Sequence, residues 1–319
     1  DDQFEQLTGR IKEMSGELPI TAEGLAKIAA AGGQLGVPID KLDQFVELAA
    51  KMSVAFDLSV EQAGDAVAKL SNIFNIPIEN VEALGDAINT LGNTTAAREA
   101  DILDVLTRIG GTASQFKLTA DQAAALAATM IEMGAKSEVA GTGINALLSK
   151  LQTANVQGPE FKGALEGIGL SAKQLADDIR GNPQQALTEF LRTLSKLDDQ
   201  SRAETLTRLF GQEYQDDIAR LLNGLDKYDA SLARVTNTGN TAGAMQREFA
   251  ARMETTEAQI QLMQNGLQEI AINLGTIFLP IIRASAEGIG DVSRALADFV
   301  EANPSIAAIA TSLGTVAVT

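Results

Sequence analysis

Cysteine, histidine and tryptophan are all missing from these 319 residues. Without Cys there is no disulfide scaffold and no thiolate site. Without His as well, the commonest metal ligands and nucleophile-activating bases are gone. Aromatic residues make up only 4%, although the apolar fraction is an ordinary 45%. Ala, Leu, Ile and Gly must fill the interior, which suits helices packed closely through small side chains. No stretch alternates apolar and polar residues with period two, so no sheet is expected. Basic residues are scarce too: 25 against 42 acidic ones give a net charge of −17. That sign repels backbone phosphates, and no Lys/Arg cluster interleaves with aromatics, which argues against specific nucleic-acid binding.

What is present is a recurring helix-start phrase. An apolar residue precedes Ser or Thr, then any residue and an acid, in Ile20-Thr21-Ala22-Glu23, Leu58-Ser59-Val60-Glu61 and Leu118-Thr119-Ala120-Asp121. Leu170-Ser171-Ala172-Lys173 is a variant with Lys in the acid's place. The hydroxyl accepts from an orphan backbone N–H, the acid sits at the positive end of the helix dipole, and the apolar residue can staple back. A second phrase, Gly36-Val37-Pro38-Ile39 and Asn75-Ile76-Pro77-Ile78, recurs 39 positions apart, and Ile20 and Leu58 lie 38 apart. Two copies are too few for a solenoid; two similar helical hairpins within one bundle are expected.

Helices are predicted near 2–16, 22–34, 40–55, 60–74, 79–91, 97–110, 120–133, 138–153, 160–167, 172–180, 184–196, 200–210 and 213–234. Loops are expected at Gly92-Asn93-Thr94-Thr95 and Gly110-Gly111-Thr112, among others. Residues 1–235 thus read as a helical core of two or more packed subunits, and the polar, small residues 236–243 as a linker. Residues 244–302 follow as a long helix broken at Pro280, and 303–319 as the start of an apolar helical segment. The chain opens without Met and stops inside the apolar run 306–318, which reads as a piece of a longer protein. That run is shorter than the roughly 20 residues a bilayer-spanning helix needs. The fold class is all-α: a compact multi-helix region followed by a long amphipathic, coiled-coil-like helix.

The long helix carries the most distinctive pattern. Met253, Ile260, Leu267 and Leu274 repeat every seven residues, as do Phe249, Thr256, Met263, Ile270 and Ile277. Alternating steps of three and four put both sets on one stripe, the a/d seam of a coiled coil. A long helix lying back on the preceding domain would need a similar stripe. Four heptads with only Thr256 polar favour self-association, with the number of copies left open. Gly266 and Gly275 each weaken the helix by roughly 1 kcal/mol relative to Ala, so the seam needs partners to hold it.

Chemistry is harder to find. The adjacent acids Asp177-Asp178, Asp198-Asp199 and Asp216-Asp217 lie about 100° apart on a helix and do not converge on a substrate. No calcium-loop spacing and no phosphate-loop Gly-Lys-Ser/Thr occurs. Gly32 and Gly36, or Gly163 and Gly167, would permit close helix approach, though a helix-end or turn role is the commoner use.

An ordered set of segments is similar to the core region of phage tail tape measure proteins, shared by long-tailed phages and phage-tail-like bacteriocins. It comprises Glu23–Gly36 (EGLAKIAAAGGQLG), Lys51–Ala63 (KMSVAFDLSVEQA), Leu84–Thr94 (LGDAINTLGNT), Ile109–Ala113, Met133-Gly134 with Glu138–Thr142, Leu209–Glu213, and the apolar run through Leu279-Pro280. The resemblance implies a virion structural protein with no catalytic residues in this region and no cofactor. It implies several copies, three or more, lying along the tail lumen, setting tail length and leaving the tube ahead of the DNA. Implied partners are the tail tube protein, the tail tip or baseplate hub and a tail assembly chaperone. The frequent breaks before residue 240 depart from a pure ruler, so this piece is expected to be a compact helical region attached to a rod. A competing expectation is a membrane-active segment within 267–319 that acts on the host envelope after ejection. A helical hydrolase is a third and weaker one.

Overall fold

The computed structural model describes residues 2–284; Asp1 and residues 285–319 lie outside the description, as do the side chains of Asp2, Thr238 and residues 273–284. The chain is all-α, with no strand among the described residues. The helices are α1 (Asp2–Glu17), α2 (Ala22–Gln34), α3 (Leu42–Phe56), α4 (Val60–Phe74), α5 (Ile78–Thr94), α6 (Glu99–Gln115), α7 (Ala120–Glu132) and α8 (Ser137–Gln152). They continue as α9 (Pro159–Gly167), α10 (Ala172–Gly181), α11 (Pro183–Ser195), α12 (Asp199–Phe210), α13 (Gln215–Asn223) and α14 (Leu225–Val235). The one-turn α15 (Thr238–Thr241), α16 (Ala244–Met253) and α17 (Thr256–Ala284) complete the set.

The recurring phrases mark joints that end one helix and begin the next. Gly36, Asp57, Asn75, Lys117, Gly134 and Gly169 all take the left-handed conformation, with φ between 52° and 85°. The residue after each, Val37, Leu58, Ile76, Leu118, Ala135 or Leu170, donates its N–H to a carbonyl five residues back at 2.9–3.0 Å. This is the Schellman closure, which satisfies carbonyls that the helix end leaves orphaned. The next residue then starts the following helix. Ser59 Oγ accepts from the Gln62 N–H (3.1 Å) while Gln62 Oε1 accepts from the Ser59 N–H (2.9 Å), and Thr119 and Gln122 form the same box. Thr21 and Ser171 cap α2 and α10 through the Gly24 and Gln174 N–H groups. The apolar residue of the phrase is therefore the last contact of the preceding helix as well as the lead-in to the next.

The two similar hairpins are α2–α3 and α4–α5, joined through Pro38 and Pro77 turns of the same closure. They stack through α2 and α3 against α4, and α4 packs in turn on α6. At the centre is α7, packed against α5, α6, α8 and α14. Every residue from Ala123 to Met130 on it is buried, as expected of a helix apolar on all faces. Its interior Thr129 satisfies its hydroxyl on the Ala125 carbonyl at 2.8 Å. Helices α9 to α13 extend the same core through Leu187, Phe190, Phe210 and Ile218, with Phe190 and Phe210 edge to face at 6.3 Å.

Several boundaries differ from the sequence expectation. Gly110-Gly111-Thr112 is not a loop but lies inside α6, where a Cβ on Gly110 would stand 2.4 Å from Ile73 Cγ2. Glycine there lets α4 and α6 approach. Likewise α5 runs on through Gly92 to Thr94, with the Glu99 side chain filling the space a Cβ would take. Gly32 serves close approach, against the Phe45 ring, whereas Gly36 and Gly167 stand at helix ends and Gly163 lies within α9 with only an ordinary contact to Arg208. The helix expected over 213–234 is two, parted at Gly224. Residues 1–262 form one compact unit, and a second begins at Met263.

Candidate assembly surface

The polar segment 236–243, expected as a linker, is docked onto the helical body. The Asp86 carboxylate, buried on α5, accepts from the Gly243 N–H at 2.8 Å and the Met245 N–H at 2.9 Å. An acid from a distant helix thus caps the N-terminus of α16, meeting its orphan donors and its dipole together. Met245 is fully buried above Gly85, where a Cβ would stand 2.7 Å from its sulfur. With Ala244 and Phe249 it seats α16 against α3 and α5. Nearby Glu99 is partly buried; burial, helped by Glu248, pushes its carboxyl above the ordinary range, against a backbone hydrogen bond and Arg252, which lower it. Arg252 Nε also donates to Glu248 at 3.0 Å.

The predicted seam is consequently divided. Phe249 is buried in the core and Met253 packs against it. The helix then stops: the Glu254 and Thr255 N–H groups turn back to Ala251 and Arg252, and Thr255 Oγ1 accepts from the Ala258 N–H at 3.3 Å to start α17. Gln259 Nε2 donates to the freed Met253 carbonyl at 2.8 Å. Beyond the break Thr256, Ile260, Met263, Leu267 and Ile270 are exposed, Met263 by 61%. The side chains of Leu274 and Ile277 lie outside the described residues. The long helix expected from 244 and stopped or kinked at Pro280 is therefore interrupted earlier, at Glu254-Thr255, and α17 continues through Pro280 to Ala284. A proline removes one N–H donor from a helix and strains it without forbidding its continuation. The sequence expectation missed Asp86 altogether and overlooked Thr255-Thr256-Glu257, a weak form of the same cap-and-acid phrase.

The adjacent acids stay apart from one another. Asp198 caps α12 through the Ser201 N–H, Asp177 pairs with Arg180 on its own helix, and Asp178 accepts from Gln174. Asp217 faces Arg220, and burial raises its carboxyl. A groove of about 500 Å³ beside Phe74, Ile76, Leu84 and Leu118 holds Asp121, whose carboxyl burial pushes up to about 6. The other ionisable side chain lining it is Lys117, so the groove offers no pair of carboxylates for acid–base work. Among the described residues no group of His, Cys, Asp and Glu could hold a metal, and no helix is long and apolar enough to cross a membrane.

Comparison with known proteins fits this arrangement. The family described as phage-related minor tail protein matches residues 8–211, the helical body. A probable tape measure protein of Halomonas phage phiHAP-1 is 28% identical over 89% of this chain and 34% of its own length. The tape measure protein of Pneumococcus phage Dp-1 is 22% identical over 89% of this chain and 24% of its own. A probable tape measure protein of Escherichia phage P2 is 25% identical over 67% of this chain and 26% of its own. The chain thus spans about a quarter to a third of the length of these relatives. No solved structure matches it. Since the family match covers more than half of the chain, and all the ordered segments noted in the sequence from Glu23 to Thr142 fall within it, the chain belongs to the phage-related minor tail protein family.

Proposed function

We propose that this chain is a structural part of a phage tail: a segment of a tape measure protein that self-associates in the tail lumen, helps set tail length and leaves ahead of the DNA. Its role is assembly rather than catalysis. Its partners are further copies of itself, three or more, the tail tube protein, the tail tip or baseplate hub, and a tail assembly chaperone. The host cytoplasm is its site of assembly and the tube lumen its place in the virion. The observation that carries the reading is the stripe of Ile260, Met263, Leu267 and Ile270, four exposed apolar residues at coiled-coil spacing on one helix. Solvent-exposed apolar residues in such a row are the mark of an interaction surface.

The absence of native cysteine allows a clean test by cross-linking. Met263→Cys and Ile270→Cys should form disulfides between copies under mild oxidation, whereas Ile272→Cys, on the far side of the helix, should not. Equal cross-linking at all three positions, or none at any, would count against the seam.

A second reading is a membrane-active segment that helps genome passage across the host envelope. It is favoured by the apolar residues Leu267, Ile270 and Ile272 exposed on α17 and by the runs 277–282 and 306–318 in the sequence. Leakage of anionic liposomes by the whole chain, abolished when 267–319 is removed, is the expected result; unchanged leakage after removal would sink it.

A further inference from the structure

The sequence offers only a weak cap, Thr255 ahead of Thr256-Glu257, to part the helices at Glu254-Thr255. No Gly or Pro occurs between Ala244 and Asn265 to force a break there. The heptad register also runs through the break without insertion: Phe249, Met253 and Thr256 lead into Ile260, Met263, Leu267 and Ile270 in steps of four and three. Phe249 and Met253 therefore satisfy two arrangements. In the one described they pack onto the body, beside α3 and α5. In the other they would extend the exposed stripe by one further turn and more.

The joint that holds them is unlike the rest of the interior. Asp86 on α5 and Thr241 on α15 are two of the eight buried polar side chains among the described residues, and Asp86 is the acid among them. The bonds from Gly243 and Met245 to Asp86 hold the segment at one point.

We propose that residues 243–253 are a releasable latch: docked on α3 and α5 they withhold Phe249 and Met253, and released they join α17 as one helix whose lengthened stripe receives a second copy of this chain. The inference rests on the self-association proposed above. It adds that assembly and docking compete for the same two side chains, so each must weaken the other by the same factor.

The test uses the full chain with Gly85→Cys and Met245→Cys together. Removing the Met245 side chain relieves the clash that a Cβ at residue 85 would otherwise meet, so the pair can close as a disulfide that locks the latch. Reduction leaves a latch weakened by the loss of Met245. Hydrogen exchange over 244–253 reports opening, exchange in α6 and α7 reports that the body is intact, and light scattering reports assembly. The expected result is exchange over 244–253 at least tenfold faster, and an assembly dissociation constant at least tenfold lower, in the reduced form than in the oxidised one. Equal assembly of the two forms would overturn the latch and leave self-association standing. Monomers in both forms and in the wild type would refute self-association itself, and the latch with it. If the cysteine pair fails to fold, Asp86→Ala replaces it; it should assemble more tightly than wild type, and unchanged assembly with faster exchange over 244–253 would overturn the inference.

Discussion

Asp121 is a carboxylate that burial works against. It stands in the first turn of α7, where the helix dipole favours its charge, yet burial among apolar neighbours lifts its pKa from 3.8 to about 6. A native pKa above the unfolded one means that the folded protein binds this proton more tightly. The stabilisation is complete below the ordinary value of 3.8 and is lost as the pH rises through about 6. Asp121→Asn, uncharged throughout, should thus be more stable than wild type at pH 7.5. The gain should be on the order of 1 kcal/mol once the shift is discounted for partial exposure, and should close as the pH falls towards 4. Denaturant titrations at both pH values would check this; a variant less stable at pH 7.5 would show that the dipole outweighs burial. Other residue-scale facts were beyond reach of the sequence. Gly110 read as a loop because glycine disfavours helices, and only the partner helix, with Ile73 against it, shows why it is tolerated within α6. Asp86 looked like any surface acid, since its partners Gly243 and Met245 lie far along the chain.

Elements were read more successfully than residues because their signals are local. Cap phrases at Thr21, Ser59, Thr119 and Ser171 all mark helix starts, since a hydroxyl, an orphan N–H and three residues of spacing are all that a cap requires. Ser59→Ala should cost about 1 kcal/mol, and Ser59→Ala with Ser171→Ala about twice that, because the two caps serve separate joints. Chemical denaturation would measure both; a cost near zero for Ser59→Ala would mean that its capping box is frayed in solution. The failures have a common cause. The break at Glu254-Thr255 and the docking of 236–253 depend on what the segment packs against, and periodicity is blind to that. The stripe itself could not choose between lying on the body and meeting another copy, because both demand apolar residues three and four apart. The structure divides it, with Phe249 and Met253 packed on the core and Ile260, Met263, Leu267 and Ile270 exposed.

At the scale of the whole molecule, the joints, the central α7 and the docked α16 make residues 1–262 one compact unit rather than a row of independent hairpins. Ion pairs such as Arg192 with Asp229, which ties α11 to α14 at 2.8 Å, lie on its exposed surface and add little to an interior built from Ala, Leu and Ile. So compact a body would make a poor ruler in itself, and the proposed function rests on the exposed stripe of α17 instead. The family could be recognised from the sequence because its short segments occur in order, whereas the candidate assembly surface could be drawn only once exposure was known. The central claim is that this surface joins copies of the chain. The most direct measurement is the mass in solution, by light scattering over a range of concentrations, of the wild type beside Met263→Glu/Ile270→Glu. Both substituted residues are exposed, so the body should fold unchanged. The account predicts a wild type heavier than one 33.5 kDa chain, growing with concentration, and a double variant that stays monomeric. Two proteins of the same mass at every concentration would contradict it.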